Sequence, residues 1–207
     1  LDKKGKKVNG WKYVKTTNRI NKSPIHFVVN GKDYILNATN NNTTKLLARN
    51  GTDRVTFKDV IYFTTPVNIS ETGTLYAITN ENKLWTANVN GTTEILEVPN
   101  LHTTAKILAY NGGYYIANES SLSYINDIKS EEININLDAP VKTLSLSEGY
   151  ISITTNTSLY LIKDNKVVEG FPIESDGLFN ILDVDDNGKM NIIDVKNGFI
   201  YNYELSD

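Results

Sequence analysis

One stretch of this chain carries the residue types and spacing of a cation loop. Asp183-Val184-Asp185-Asp186-Asn187-Gly188-Lys189-Met190-Asn191 sets side-chain oxygens at loop positions 1, 3, 5 and 9, glycine at 6 and the Lys189 carbonyl at 7. Calcium takes about six to eight oxygens, and a loop tightened by glycine can wrap them around one ion. Asp183, Asp185, Asn187, Lys189 and Asn191 are therefore the candidate metal site, with calcium as the expected cofactor. Only Asp183 and Asp185 would bring a carboxylate to it, which implies weak affinity. The same residues also suit a plain Asp-Asn-Gly turn between two strands.

Other chemistry has less to build on. The only histidines are His26 and His102, and neither has a neighbour in sequence that would complete a zinc site or a catalytic triad. His26 lies in the apolar run Pro24-Ile25-His26-Phe27-Val28 and is expected in the core or lining a channel. Asp33, Asp59, Glu71 and Glu148 fall at strand ends. Two such acids could flank a glycosidic bond, but nothing in their order groups them, and acids at hairpin tips are ordinarily solvated. The chain has no cysteine, which removes disulfides, thiolate metal sites and a cysteine nucleophile together. Tyr114, Tyr115, Tyr150, Tyr160, Tyr201 and Tyr203 lie in strand-like runs. Packing between sheets is their expected role, with a glycan or protein platform as the second use of such amphipathic rings.

The elements that would position these groups are strands. No window keeps apolar residues at i, i+3, i+4 and i+7 over three turns; short runs of Val, Ile, Thr, Tyr and Leu recur instead. Asn-Gly pairs at 30–31, 50–51, 90–91, 111–112, 187–188 and 197–198 punctuate them. Each suits a type I′ hairpin, whose two central residues need positive φ. Set in register, the runs form units of up to four strands: 25–29, 33–37, 45–49 and 54–57; 75–79, 83–88 and 94–98; 105–110, 114–118, 121–126 and 132–137; 141–147, 150–154, 158–163 and 166–173; and 178–183, 190–195 and 199–204. A period of roughly 35 to 40 residues is that of a propeller blade. The last unit lacks a fourth strand. Residues 1–13 and 161–173 both run from a charged turn through Lys, Val and Gly to an aromatic residue. Lys7, Asn9 and Trp11 are thus expected on a strand paired with 199–204, closing the ring and removing exposed sheet edges. A partial ring cut from a larger propeller is the competing architecture.

Composition sets the outer limits. The 207 residues are 40% hydrophobic, enough for a packed core. A net charge of −3 gives no footprint for nucleic acid, and the basic run from Lys3 to Lys7 suits a solvated turn. No apolar run approaches the ~18 residues of a membrane span, so direct insertion is not expected. The chain begins at Leu1, so it is expected to be part of a longer protein. Its abundant Asn, Lys, Ile and Thr suit an AT-rich, bacterial coding sequence. In so Asn-rich a chain, sequons such as Asn37-Ala38-Thr39 and Asn90-Gly91-Thr92 are expected by chance.

Several of these runs carry a family likeness. Gly5-Lys6-Lys7-Val8-Asn9-Gly10-Trp11, Phe27-Val28-Val29, Asp33-Tyr34-Ile35 and the run from Leu47 to Val55 resemble the C-terminal propeller-like region of large bacterial cell-envelope proteins with quinoprotein-like repeats. The last unit, from Phe171-Pro172 through the Asp183 loop to Tyr201-Asn202-Tyr203, is similar to integrin-type or quinoprotein-like blade endings. In integrin-type blades the final loop position is usually Asp; here it is Asn191. The resemblance implies an all-β propeller in a bacterial envelope setting, periplasmic or exterior. Tryptophan docking motifs of quinone dehydrogenases do not recur, so no quinone is expected; neither is a nucleotide or zinc.

The chain is accordingly expected to be one β-propeller domain, 1–207, of about five four-stranded blades closed by the N-terminal strand. Its expected function is a non-catalytic binding or scaffold module that contacts protein or glycan, alongside the remainder of its own longer chain. A glycan-active enzyme with carboxylates in a central funnel, and a structural spacer packed on another domain, are the alternatives.

Overall fold

A computed structural model of the chain describes residues 3–6, 9–12, 19–20, 23–39, 43–126 and 132–205. They form strands joined by turns, in five antiparallel sheets. Two compact units divide them, Leu1–Thr103 and Thr104–Asp207.

The first unit holds two sheets. Strands β1 (Ile25–Val29), β2 (Lys32–Ala38), β3 (Thr44–Leu47) and β4 (Asp53–Thr56) pair in chain order. So do β5 (Asn68–Ile69), β6 (Leu75–Ile78), β7 (Lys83–Ala87) and β8 (Thr93–Glu97). The two-residue β5 escaped the sequence pattern because Pro66 and Ser70 interrupt any alternation there. One apolar core joins the two sheets: Tyr34, Leu36 and Leu46 from the first, Leu75, Ala77 and Trp85 from the second. Trp85 is 1% exposed, with Phe57 edge-on at 5.5 Å and Phe63 tilted at 5.0 Å between ring centroids. Such aromatic pairs add roughly 0.5–1.5 kcal/mol each beyond area burial.

The second unit holds three sheets. One is β9 (Lys106–Tyr110), β10 (Gly113–Asn118), β11 (Ser121–Asn126) and β12 (Glu132–Asn136). The next is β13 (Thr143–Ser147), β14 (Tyr150–Thr154), β15 (Ser158–Lys163) and β16 (Lys166–Val167), with β17 (Ile173–Glu174) also on β15. The last is β18 (Phe179–Leu182), β19 (Asn191–Lys196) and β20 (Phe199–Glu204). The single strand expected over 166–173 is two short ones. Phe171 donates its N–H to Val168 in a turn, and Pro172 has no N–H for the ladder. Two cores lie between these sheets. Tyr115, Leu122 and Tyr124 pack on Ile151, Ile153 and Tyr160, while Leu159 and Leu161 meet Ile181 and Ile192.

Burial follows strand position. The middle strands β6, β14 and β15 are buried on both faces, whereas β4, β8, β13 and β20 are largely exposed. A middle strand covered by apolar neighbours on both sides reads as a continuous hydrophobic run, which is the pattern of Tyr150-Ile151-Ser152-Ile153 and Leu159-Tyr160-Leu161-Ile162.

The sheets therefore hold four, four, four, five and three strands. The strand expected through Lys7, Asn9 and Trp11 against 199–204 is not seen among the described residues: Asn9 is in a turn and Trp11 in no strand, while Lys7 and Val8 lie outside those residues. The Lys12 N–H donates to the Asn50 carbonyl at 2.7 Å. Among the described residues, β20 pairs with β19 alone.

The Asn-Gly pairs divide into two kinds. Asn30, Asn111 and Asn197 have φ of 50°, 48° and 51°, and the strands they join pair across two-residue turns as expected for type I′. At 50–51 and 90–91 only the glycine has positive φ. These two loops are one residue longer. Ala48 N–H donates to the Thr52 carbonyl and Gly51 N–H to that of Ala48, with Asn88, Gly91 and Thr92 repeating the pattern. Thr supplies the reason: Asn50 Oδ1 accepts both the Thr52 N–H at 3.1 Å and its hydroxyl at 2.8 Å. Asn90 does the same with Thr92, at 2.9 and 2.8 Å. A side chain that mimics a turn carbonyl draws the loop into the longer form.

Candidate functional site

The Asp183 loop is a hydrogen-bonded turn spanning the eight residues 183–190 between β18 and β19. It is not the two-residue Asn-Gly hairpin expected at 187–188; there Asp186 and Gly188 carry the positive φ. Asp183 Oδ1 accepts the Asn187 N–H at 3.1 Å, and Oδ2 accepts the Gly188 N–H at 2.8 Å. Asn187 Nδ2 donates to Asp185 Oδ2 at 3.1 Å, and Asn187 Oδ1 accepts the Lys189 N–H at 2.7 Å. Asn191 is buried, with Oδ1 taking the Val184 N–H at 3.3 Å and Nδ2 donating to Asn202 at 3.1 Å. The Lys189 ammonium lies 2.8 Å from Glu204. Asp183 thus gathers two loop amides on one carboxylate, and each of its oxygens keeps a further lone pair. Among the described residues no three His, Asp or Glu side chains group as a metal site.

Of the other chemistry-bearing groups, His26 and Asp33 are tied into structure. His26, expected in the core, is an exposed residue of β1; its Nε2 meets Asp33 Oδ1 at 2.8 Å across the β1–β2 pair. The strand's pleat turns Val29 inward and His26 out. The hydrogen bond with His26 holds the Asp33 carboxyl below its ordinary range, and the nearby Arg49 and Arg54 charges add to this. Glu71 lies at the tip between β5 and β6, Glu148 in the β13–β14 turn with φ of 50°.

Two acids in the second unit serve as anchors. The Asp138 carboxylate accepts the Ser158 hydroxyl and, at 3.2 Å, that of Thr157. Its own N–H donates to Tyr160 Oη at 2.8 Å. Burial alone would raise this carboxyl, but hydroxyl donors including Ser158 and Thr155 leave it lowered. Asp194 is fully buried in β19. Its Oδ1 takes the Ser175 hydroxyl at 2.5 Å, and Oδ2 has no partner among the described residues. Burial pushes the Asp194 carboxyl up, and the Ser175 and Val195 donors only partly offset it.

One feature of the first unit was not legible in the sequence. A cavity of about 210 Å³ opens where the segment after β4 crosses the second sheet, lined by Val60, Tyr62, Asn80, Glu81, Lys83 and Ile95 among others. Val60, Tyr62 and Ile95 are 65%, 60% and 50% exposed. Residues 60–63 alternate: Ile61 is buried and Phe63 packs on the core, so Val60 and Tyr62 face outward. The segment is clamped by the Asn80 N–H on the Tyr62 carbonyl at 2.9 Å and the Thr64 N–H on Ile78 at 2.8 Å. The Thr65 hydroxyl also accepts the Ile78 N–H at 2.9 Å. Lys83 reaches Glu97 at 3.2 Å and Glu81 at 3.6 Å. The hydrogen bond that the ammonium donates to Glu97, then the two carboxylate charges, hold it above its ordinary range. The alternation at 60–63 was the available signal, but it does not tell which face is out.

No protein-family model matches this chain, and no curated protein does. Solved structures do resemble it. PorZ, a bacterial surface component of the type-IX secretion system of Porphyromonas gingivalis, aligns over 91% of this chain and 26% of its own, at TM-score 0.55 and 10% identity. BamB from Moraxella catarrhalis aligns over 89% and 57%, at TM-score 0.52 and 12% identity. The computationally designed Ika8 aligns over 83% and 55%, at TM-score 0.52 and 9% identity. The chain thus spans from about a quarter to just over half the length of these structures. The likeness is one of fold, and that fold is propeller-like and all-β.

Proposed function

We propose that this chain is a non-catalytic binding or scaffold module of a bacterial cell-envelope protein, contacting protein or glycan through its turns. The observation that carries this reading is the use made of its polar chemistry. His26–Asp33, Ser158–Asp138, Ser175–Asp194 and the Asp183 turn are all bonds that hold strands and turns in place. Stacked sheets with doubly buried middle strands make a rigid core that displays loops, which suits binding without chemistry. PorZ is described as an essential bacterial surface component, and an envelope setting for this chain is proposed from that likeness together with the family resemblance of its repeats. No helix among the described residues is long and apolar enough to cross a membrane.

In the finer architecture proposed, the five sheets are blades of one closed propeller. The absence of cysteine makes this directly testable. Lys7→Cys with Ile200→Cys should form a disulfide under mild oxidation, and failure to do so would favour a part of a larger ring. The function is tested by cross-linking the purified chain in envelope extracts of its source cell while assaying it on a panel of aryl glycosides. A saturable envelope partner with glycoside turnover at the buffer rate is expected. Turnover abolished by Asp33→Asn or Glu148→Gln would replace the module with a glycan-active enzyme.

A further inference from the structure

We propose that the cavity bounded by Val60, Tyr62, Asn80, Glu81, Lys83 and Ile95 binds one neutral pyranose ring of a carbohydrate. A pyranose presents apolar C–H faces and a rim of hydroxyls that both donate and accept. It needs an apolar wall beside polar groups of both kinds. Val60, Tyr62 and Ile95 are branched or aromatic side chains left half exposed or more around one opening. Apolar side chains gathered at a cavity, as opposed to scattered singly, mark a binding surface. Beside them Asn80 both donates and accepts, Glu81 accepts, and Lys83 donates.

Charge narrows the ligand. Glu81 and Lys83 give the rim one charge of each sign, and Glu97 beyond it compensates Lys83 further. Phosphate or carboxylate ligands are disfavoured there, and no unpaired acid pair waits for a strong cation. Size narrows it further. About 210 Å³ falls below the roughly 300–1,000 Å³ of pockets for drug-sized ligands, which leaves room for one ring with the rest of a glycan outside.

The site is also preorganised. Its wall is held by the Asn80–Tyr62 and Thr64–Ile78 backbone bonds, and Phe63 anchors it against Trp85. Little ordering remains to be done on binding. A single ring in such a site is expected to bind with a dissociation constant on the order of 1 mM.

The test is amide NMR titration of the whole chain with methyl glycosides of glucose, galactose, mannose and N-acetylglucosamine, each alone, and with arginine amide as a comparison. Saturable shifts at Tyr62, Asn80, Lys83 and Ile95 with at least one glycoside are expected. Tyr62→Ala should weaken that binding by about fivefold or more, while Tyr62→Phe, which keeps the ring, retains most of it. Both variants sit at an exposed position and should keep the wild-type spectrum elsewhere. Saturation by arginine amide but by no glycoside would overturn the proposal in favour of a basic protein side chain. No saturable shift with any glycoside would overturn it as well. Neither result touches the scaffold reading, which rests on the envelope cross-linking.

Discussion

Gly188 donates its backbone N–H to Asp183 Oδ2 at 2.8 Å, closing the 183–190 loop on that carboxylate. Replacing Asp183 with Ala removes two acceptors from exposed N–H groups, as loss of a helix cap does, and should cost about 0.5–2 kcal/mol. Thermal unfolding in millimolar calcium and in excess chelator should show the same loss. A wild-type midpoint that rises with calcium, and no longer does in Asp183→Ala, would instead make the loop a metal site.

Asp194 should give the protein an acid-stabilised component. Its folded carboxyl is raised above 3.8 by burial, so between 3.8 and the raised value the folded state holds more proton than the unfolded one. Stability from this group therefore falls as pH rises through that window. Asp194→Asn should be more stable than wild type at pH 7, with the difference shrinking as pH drops towards 4; urea unfolding at a series of pH values reads it. Ser175→Ala, which strands the second oxygen, should cost about 1–3 kcal/mol at pH 7.

The opposite sign is expected of Asp138. Its carboxyl is lowered from 3.8 in the folded state, because the hydroxyl donors outweigh burial. Its contribution is present above the unfolded value and is lost as pH falls through the folded one. The stability gap between wild type and Asp138→Asn should hold from pH 7 to about 4 and close only below that. A gap that closes already at pH 6 would mean that the Ser158 hydroxyl does not hold the ionised form.

Gly73 tests the packing of the first unit. Its φ is +85°, and a Cβ there would sit 2.6 Å from Val29 Cγ2 and 3.2 Å from Val89 Cγ1. Gly73→Ala should cost about 2–4 kcal/mol, combining left-handed strain with overpacking. The double variant with Val29→Ala should recover the overpacking share and leave the strain. Equal losses in the single and double variants would show that Val29 does not press on this turn.

Much of this architecture is written locally. The runs at 25–29, 106–110, 121–126, 158–163 and 199–204 are strands because their apolar and β-branched residues have no helical period. The two-residue turns at 30–31, 111–112 and 197–198 follow from Asn and Gly tolerating positive φ. The Asn-Gly-Thr turns at 50–52 and 90–92 were less legible, since the deciding hydrogen bonds come from a threonine two residues after the asparagine. Where 166–173 was expected as one strand, Phe171-Pro172 broke it.

Sequence by itself determined that the chain is all-β, built of repeated hairpins and without cysteine. Tertiary structure decided which side chains those hairpins bring together. A strand's alternation defines two faces without telling which is covered, so only the stacking of sheets could turn Tyr62 outward to a cavity and bury Asp194 beside Ser175. Likewise only the folded turn brings the amides of Asn187 and Gly188 onto the Asp183 oxygens. That orientation belongs to the backbone, because a carboxylate in the sequence specifies an acceptor and not which N–H groups reach it.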